Sequence, residues 1–298
     1  MIEPKNELTG LLLDIYYELR NTPIRPKIVG GLGIYLRADN IFEQKQQTLF
    51  PLATARATQD IDMILPAGTI IEPELRESFK LMLNTLGFYV IEKYAYWQYK
   101  RKYYGHEQKL DLHTWIPSDL DKESFRIIGE KLVPADTKAK LDAHIASEAI
   151  GADILGSELL CKGYRNEGSE YKCAVSVSHP LTLAVMKLLA YRDYELKRAT
   201  VGITSEEAAR HLIVAQKHAF DIYVLLSTIT EAEWQQSKEL ALSYKYAAAV
   251  REAEAVVREA FSTIDSAGML RMRSSLDANG TMQFGMIPSL LFELFGIN

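Results

Sequence analysis

The chain has 298 residues, 48% hydrophobic and 24% charged, which allows one large domain or two of ordinary size with ample material for a core. No apolar stretch approaches the roughly 20 residues of a membrane span, and a formal net charge of −5 argues against a protein coated with nucleic acid while leaving room for one local basic face. Two cysteines, Cys161 and Cys173, lie outside any CxxC pair or zinc-spaced Cys/His cluster and read as reduced, partly buried thiols.

The opening run MIEPKNELTGLLLDIYYELR spaces Leu11, Ile15, Tyr16 and Leu19 as one face of an amphipathic helix. An acidic residue near its start argues against a signal peptide, so a cytoplasmic protein is expected. RPKIVGGLGIYLRA predicts a short strand over Lys27 to Val29, a glycine turn at Gly30 and Gly31, and a helix from about Leu32. DNIFEQKQQTLFPLATA has weak periodicity and reads as a loop, a short extra helix or both. QDIDMIL is a strand that Pro66 and Gly68 close. EPELRESFKLMLNTLGF is a helix with Pro73 in its first turn, an apolar stripe of Leu81, Met82 and Leu86, and Gly87 at its exit.

Two strands follow in YVIEKYAYWQYKRKYY and QKLDLHTWIP, joined by a turn at Gly105 and His106. Residues 118–177 carry mixed short pieces, a turn at NEGSE and a last strand at YKCAVSV. From Ser178 the texture changes to helix: a capping serine and first-turn proline open SHPLTLAVMKLLAYRDYELKR. Helical patterns then cover SEEAARHLIVAQKHAFDIYVLLS, AEWQQSKELALSYKYAAAVREAEAVVREAFSTI and MIPSLLFELFG. The expected fold is α+β: a mixed sheet with helices over 1–177, followed by a helical bundle over 178–298.

In an extended strand Asp60 and Asp62 share one face while Ile61 and Met63 share the other. An Asp-x-Asp pair also suits the solvent face of an edge strand, but paired carboxylates inside an apolar run suit a divalent cation, because hard ions take oxygen ligands. Asp111, between Leu110 and Leu112, joins the pair if the two strands are neighbours; His113 shares its face and competes for the role, whereas His106 falls in a turn as a solvated residue. Three carboxylates around two metal positions suit phosphoryl or nucleotidyl transfer. The Gly30-Gly31 turn then lets a triphosphate approach backbone N–H groups at a helix N-terminus, although glycine pairs also make plain turns. The histidines look scattered rather than clustered with the aspartates, which disfavours a metal-dependent phosphohydrolase. In KYAYWQYKRKYY, aromatics alternate with Lys100, Arg101 and Lys102, a pattern that suits single-stranded nucleic acid or a protected sheet edge.

Val29-Gly30-Gly31, a helix, Asp60-Ile61-Asp62 and a separate Asp111 together resemble the nucleotidyltransferase superfamily with a polymerase-β-like fold. With Lys187 and Arg192 in LTLAVMKLLAYRDYELKR and Asp221 in KHAFDIYVLL, the chain looks most like the AbiEii/AbiGii-type toxin nucleotidyltransferases. The resemblance implies Mg2+ or Mn2+ held by Asp60, Asp62 and Asp111, and an NTP held by Gly30, Gly31, Lys187 and Arg192, with Asp221 in a helical motif beside the active site as a candidate catalytic group. It implies transfer of an NMP to an RNA end such as that of tRNA, by the toxin of a pair whose partner is a cognate antitoxin. A protein or a small molecule such as an aminoglycoside is the alternative acceptor, and a non-catalytic nucleotide- or partner-binding module of the same fold is the alternative function. On the residues alone, Lys187 also fits a snorkelling lysine at a bundle edge, and Arg192 with Asp221 fits a structural ion pair. Segment 39–57 is long for the superfamily and reads as an insertion that could gate the pocket, and Lys217-His218 stands where the family often has Lys-Asp.

Overall fold

A computed structural model describes residues 4–56, 58, 60–91, 96–116, 123–136, 140–151, 155–274 and 284–297. The chain forms two compact units, one of Met1–Arg37, Arg56–Ser147 and Gly151–His179, the other of Ala38–Ala55, Glu148–Ile150 and Pro180–Asn298. Both helices and a mixed sheet are present, so the fold is α+β.

The first unit is built on a sheet of β1 (Lys27–Val29), β2 (Asp60–Pro66), β3 (Tyr89–Val90), β4 (Gln98–Tyr103), β5 (His106–Trp115), β6 (Phe125–Ile128), β7 (Lys131–Pro134), β8 (Ala143–Ile145), β9 (Gly156–Tyr164) and β10 (Glu170–Ser178). The order is β6-β7-β8-β5-β2-β1-β10-β9, with β4 pairing β5 and β3 pairing β4. β5 runs parallel to β2 and β8, β1 runs parallel to β10, and the other pairs are antiparallel.

Helix α1 (Pro4–Leu19) buries Leu11, Leu12, Leu13 and Ile15 completely, so its apolar surface is wider than the expected stripe. Its buried Asp14 receives Arg165 Nε at 3.2 Å and lies 3.7 Å from an Arg101 guanidinium nitrogen. Arg101 is thereby corrected from a surface nucleic-acid contact to a buried residue: it also donates to Gln108 Oε1 and Leu86 O, while Lys100 and Lys102 alternate to the other face.

The five-residue α3 (Ala67–Ile71) was not expected from the sequence; Arg76 closes its C-terminus by donating to Ile70 O and Ile71 O at 3.1 Å each. In α4 (Pro73–Thr85) the buried face is Arg76, Phe79, Met82 and Leu83, whereas Leu81 is 66% exposed, a correction to the expected stripe. Gly87 makes the exit at φ +73°.

The second unit holds α5 (Pro180–Arg198), α6 (Ser205–Ser227), α7 (Glu231–Ser243), α8 (Ala248–Ala260), α9 (Ala267–Ser274) and α10 (Ile287–Leu294). Capping boxes of Thr204 with Glu207 and Thr230 with Glu233 start α6 and α7. Proline opens α5 as expected, but Ser178 ends β10 and its buried Oγ has no hydrogen-bond partner, so it does not cap the helix. The helical pattern expected over 232–264 is met by two helices, because the buried stripe Trp234, Ser237, Ala241 meets exposed Lys245 and Tyr246 and resumes out of phase at Ala249 and Val250.

Helix α2 (Gly30–Gln44) begins in the first unit and ends in the second. The segment after it is fastened within the second unit: Leu49 N donates to Ile229 O at 3.1 Å, Ala53 N donates to Ser227 Oγ at 3.0 Å, and Phe50 packs on Tyr223. Among the described residues no helix is long and apolar enough to cross a membrane.

Candidate active site

Strand alternation builds the site. Ile61 and Met63 are fully buried, so Asp60 and Asp62 occupy the opposite, half-buried face of β2. The parallel register sets Asp111 of β5 directly beside Asp62, with Leu110 and Leu112 buried on the other side. One oxygen of each of Asp60, Asp62 and Asp111 lies within 4.8 Å of the other two. The two strands are neighbours, as joining the three carboxylates required.

Three side chains that the sequence reading did not assign to the site, or assigned differently, surround this cluster. Thr58 Oγ1 donates to Asp60 Oδ1 at 2.9 Å, and Gln98 Nε2 donates to Asp111 Oδ1 at 2.6 Å. His113 Nε2 stands 3.8 Å from Asp62 Oδ1, so it joins Asp111 on this face rather than displacing it. Two of the histidines expected to be scattered meet here, since the rings of His113 and His144 are 5.6 Å apart.

Burial raises the pKa of Asp111 above the ordinary carboxylate range; the Asp62 charge adds to the rise, and the Gln98 hydrogen bond and His113 oppose it. A carboxylate whose ionisation is resisted in this way gains from a cation placed beside it. An all-oxygen set of this kind fits Mg2+ or Mn2+, to be held by Asp60, Asp62 and Asp111.

The glycine pair lies against the same carboxylates. Val29 pairs with Asp62 across β1 and β2, and α2 starts at Gly30 itself, two residues earlier than the sequence suggested. Gly30 has φ +66°, and a Cβ there would overlap the Asp62 carboxylate. A Cβ on Gly31 would stand 3.1 Å from Thr58 Oγ1 and 3.6 Å from an Arg56 guanidinium nitrogen. The first turn of α2 carries no acidic side chain to oppose an anion at the helix N-terminus, and an Arg56 guanidinium nitrogen lies near Gly31.

The other expected site residues lie in the helical unit. Lys187 on α5 and Asp221 on α6 form a buried pair, Nζ to Oδ2 2.7 Å. Asp221 is therefore paired with Lys187 rather than with Arg192, whose guanidinium reaches Asp193 at 3.1 Å and Glu252 at 2.8 Å. Lys187 is buried and does not snorkel at an edge. His218 packs on Tyr194, ring centroids 5.5 Å apart. His106 opens β5 as an exposed strand residue, not part of the turn.

Signals for the missed residues were present in part. The hairpin turn is Tyr104-Gly105, both with positive φ, and a two-residue turn there fixes Gln98 opposite Asp111. Nothing local marks Thr58 or Arg56.

No protein-family model matches the chain, and no curated protein matches it. Among solved structures, it is similar to a solution structure of the antibiotic-resistance factor ANT(2'')-Ia, a protein described as having substrate-regulated conformation dynamics. The identity is 13%, over 80% of this chain and 96% of that one, with a TM-score of 0.32.

Proposed function

We propose that the protein is a divalent-metal-dependent nucleotidyltransferase of the polymerase-β-like superfamily that moves an NMP from an NTP to an acceptor hydroxyl. The observation that carries the reading is the meeting of Asp60, Asp62 and Asp111 on one sheet face with the glycine-only start of α2 against Asp62. Bound ions would lower the pKa of the acceptor hydroxyl and neutralise charge on the triphosphate. The acceptor oxygen bonds to the α-phosphorus, the bond from that phosphorus to pyrophosphate breaks, and the hydroxyl proton leaves to solvent. For this chain's own residues, Gly30 and Gly31 would offer backbone N–H groups to the phosphates, with Arg56 as the nearby cation. Thr58 and Gln98 hold the carboxylates of Asp60 and Asp111 in place.

Within this reading the acceptor is an RNA end. Its support is the side-chain pattern beside Asp111: Lys100 and Lys102 of β4 and Lys109 of β5 fall on the Asp111 face by alternation, Glu107 there pairs with Lys100 at 2.9 Å, and the other carboxylates of the face, Asp60, Asp62 and Asp111, are those that would hold the metal. A polyanion gains from that face more than a neutral or cationic acceptor does. The toxin role, with a cognate antitoxin, comes from the sequence resemblance alone. Calorimetric titration of each NTP with and without Mg2+ tests the metal–nucleotide site. Tighter NTP binding with Mg2+, lost on Asp60→Asn/Asp62→Asn, is expected; equal binding in both proteins contradicts the proposal and favours the non-catalytic module.

A further inference from the structure

His113 stands beside the carboxylate cluster in a way the nucleotidyltransfer reading leaves unused. β5 carries it two residues beyond Asp111, on the same face, and its Nε2 is 3.8 Å from Asp62 Oδ1. Its side chain is 16% exposed, so the imidazole occupies a largely desolvated position. The ring is held edge-on by His144 at 5.6 Å and flanked by Trp97 at 6.5 Å. The β5–β8 register pairs the two histidines, and His144 Nε2 is itself tied to Glu130 Oε2 at 3.2 Å. In this packing Nε2 is the ring nitrogen that faces the Asp62 carboxylate.

We propose that His113 is a nitrogen ligand of the same metal centre, and that the site consequently favours Mn2+ over Mg2+. The proposal rests on the metal reading above. Mg2+ holds oxygen ligands and gives up water reluctantly, whereas imidazole suits first-row transition ions. Two donors sharing one ion at about 2.1 Å each stand between about 3.0 and 4.2 Å apart, and the His113–Asp62 separation of 3.8 Å falls in that interval. A histidine that served only to orient Asp62 by hydrogen bonding would strengthen every cation alike. A histidine that binds the ion separates the cations.

Pulsed electron paramagnetic resonance of Mn2+ added to the full chain reads this directly, without relying on turnover. The expected result is nitrogen coupling from a bound imidazole in the wild type and in His144→Asn, and its loss in His113→Asn. In parallel, Mn2+ affinity in His113→Asn should fall about tenfold or more while Mg2+ affinity, from competition, changes by less than about threefold. Mn2+ bound at the carboxylates without nitrogen coupling overturns the proposal and leaves the metal reading intact. Equal losses for both ions also overturn it and make His113 a positioning residue. If Mn2+ binding is absent, or survives Asp60→Asn/Asp62→Asn, the proposal falls together with the metal reading.

Discussion

Gly30 sits against the carboxylate of Asp62 so closely that no residue with a Cβ fits without moving the aspartate. Because Gly30 also has φ +66°, Gly30→Ala meets both a backbone penalty and a displaced metal ligand. The expected outcome is a folded protein that loses about 100-fold or more in divalent-ion affinity or transfer activity. Gly105→Ala, at a positive φ with open space around it, is the control and should leave metal affinity unchanged. Comparable metal affinity in Gly30→Ala and wild type would contradict this dependence.

The carboxylate face was legible in the sequence because strand periodicity is local: alternation through Asp60, Asp62 and Asp111 needs only neighbours two residues away. The cross-strand contacts were legible only through the hairpin, where the Tyr104-Gly105 turn sets Gln98 against Asp111. Longer contacts left no local trace. Asp14 meets Arg165 across 151 positions, and that burial is what removes Arg101 from the surface. Residues 49–53, beyond the end of α2, likewise declared no structure of their own, because Leu49 N and Ala53 N donate to Ile229 O and Ser227 Oγ at and just after the end of α6. The break between α7 and α8 lacks glycine and proline and is marked only by a phase change in the buried stripe.

Lys187 and Asp221 form a buried pair whose side chains are 7% and 3% exposed. Removing one partner leaves the other charge stranded, so Lys187→Met should destabilise the protein by about 3–5 kcal/mol in denaturant titrations. Lys187→Met/Asp221→Leu should recover most of that loss. A stable single variant would contradict the assignment of the pair as a structural tie, and a loss of NTP affinity in the stable double variant would give Lys187 the phosphate role suggested by the resemblance.

Asp142 is 8% exposed, and burial pushes its carboxyl up to about 6 against weak opposition from Lys131. A carboxyl raised on folding binds more protons in the native than in the unfolded state, so its contribution turns unfavourable as pH rises from about 4 through 6 and stays so above. Asp142→Asn should therefore stabilise the protein at pH 8 by at most about 3 kcal/mol and make no difference near pH 3. Equal stability of the two proteins at both pH values would contradict the burial argument.

Asp111 has its pKa raised by burial and by Asp62, with the Gln98 hydrogen bond working against the rise. A metal must displace the proton, so divalent-ion affinity should fall on acidification while the pH is still above the ordinary carboxylate range. Gln98→Leu removes the opposing hydrogen bond and should move that fall to higher pH. Titrations of Mg2+ or Mn2+ at a series of pH values read the shift; a fall at the same pH in both proteins would contradict it.

Nucleotidyl transfer is the activity proposed for the Asp60–Asp62–Asp111 face. Its most direct test incubates the purified protein with each α-labelled NTP, Mg2+, and either total cell RNA or cell protein, beside the Asp60→Asn/Asp62→Asn variant. Label is expected to enter RNA with the wild type alone. Label entering protein alone would keep the transfer chemistry and overturn the RNA acceptor, and equal label from the wild type and the double variant, in either pool, would contradict the proposed activity itself.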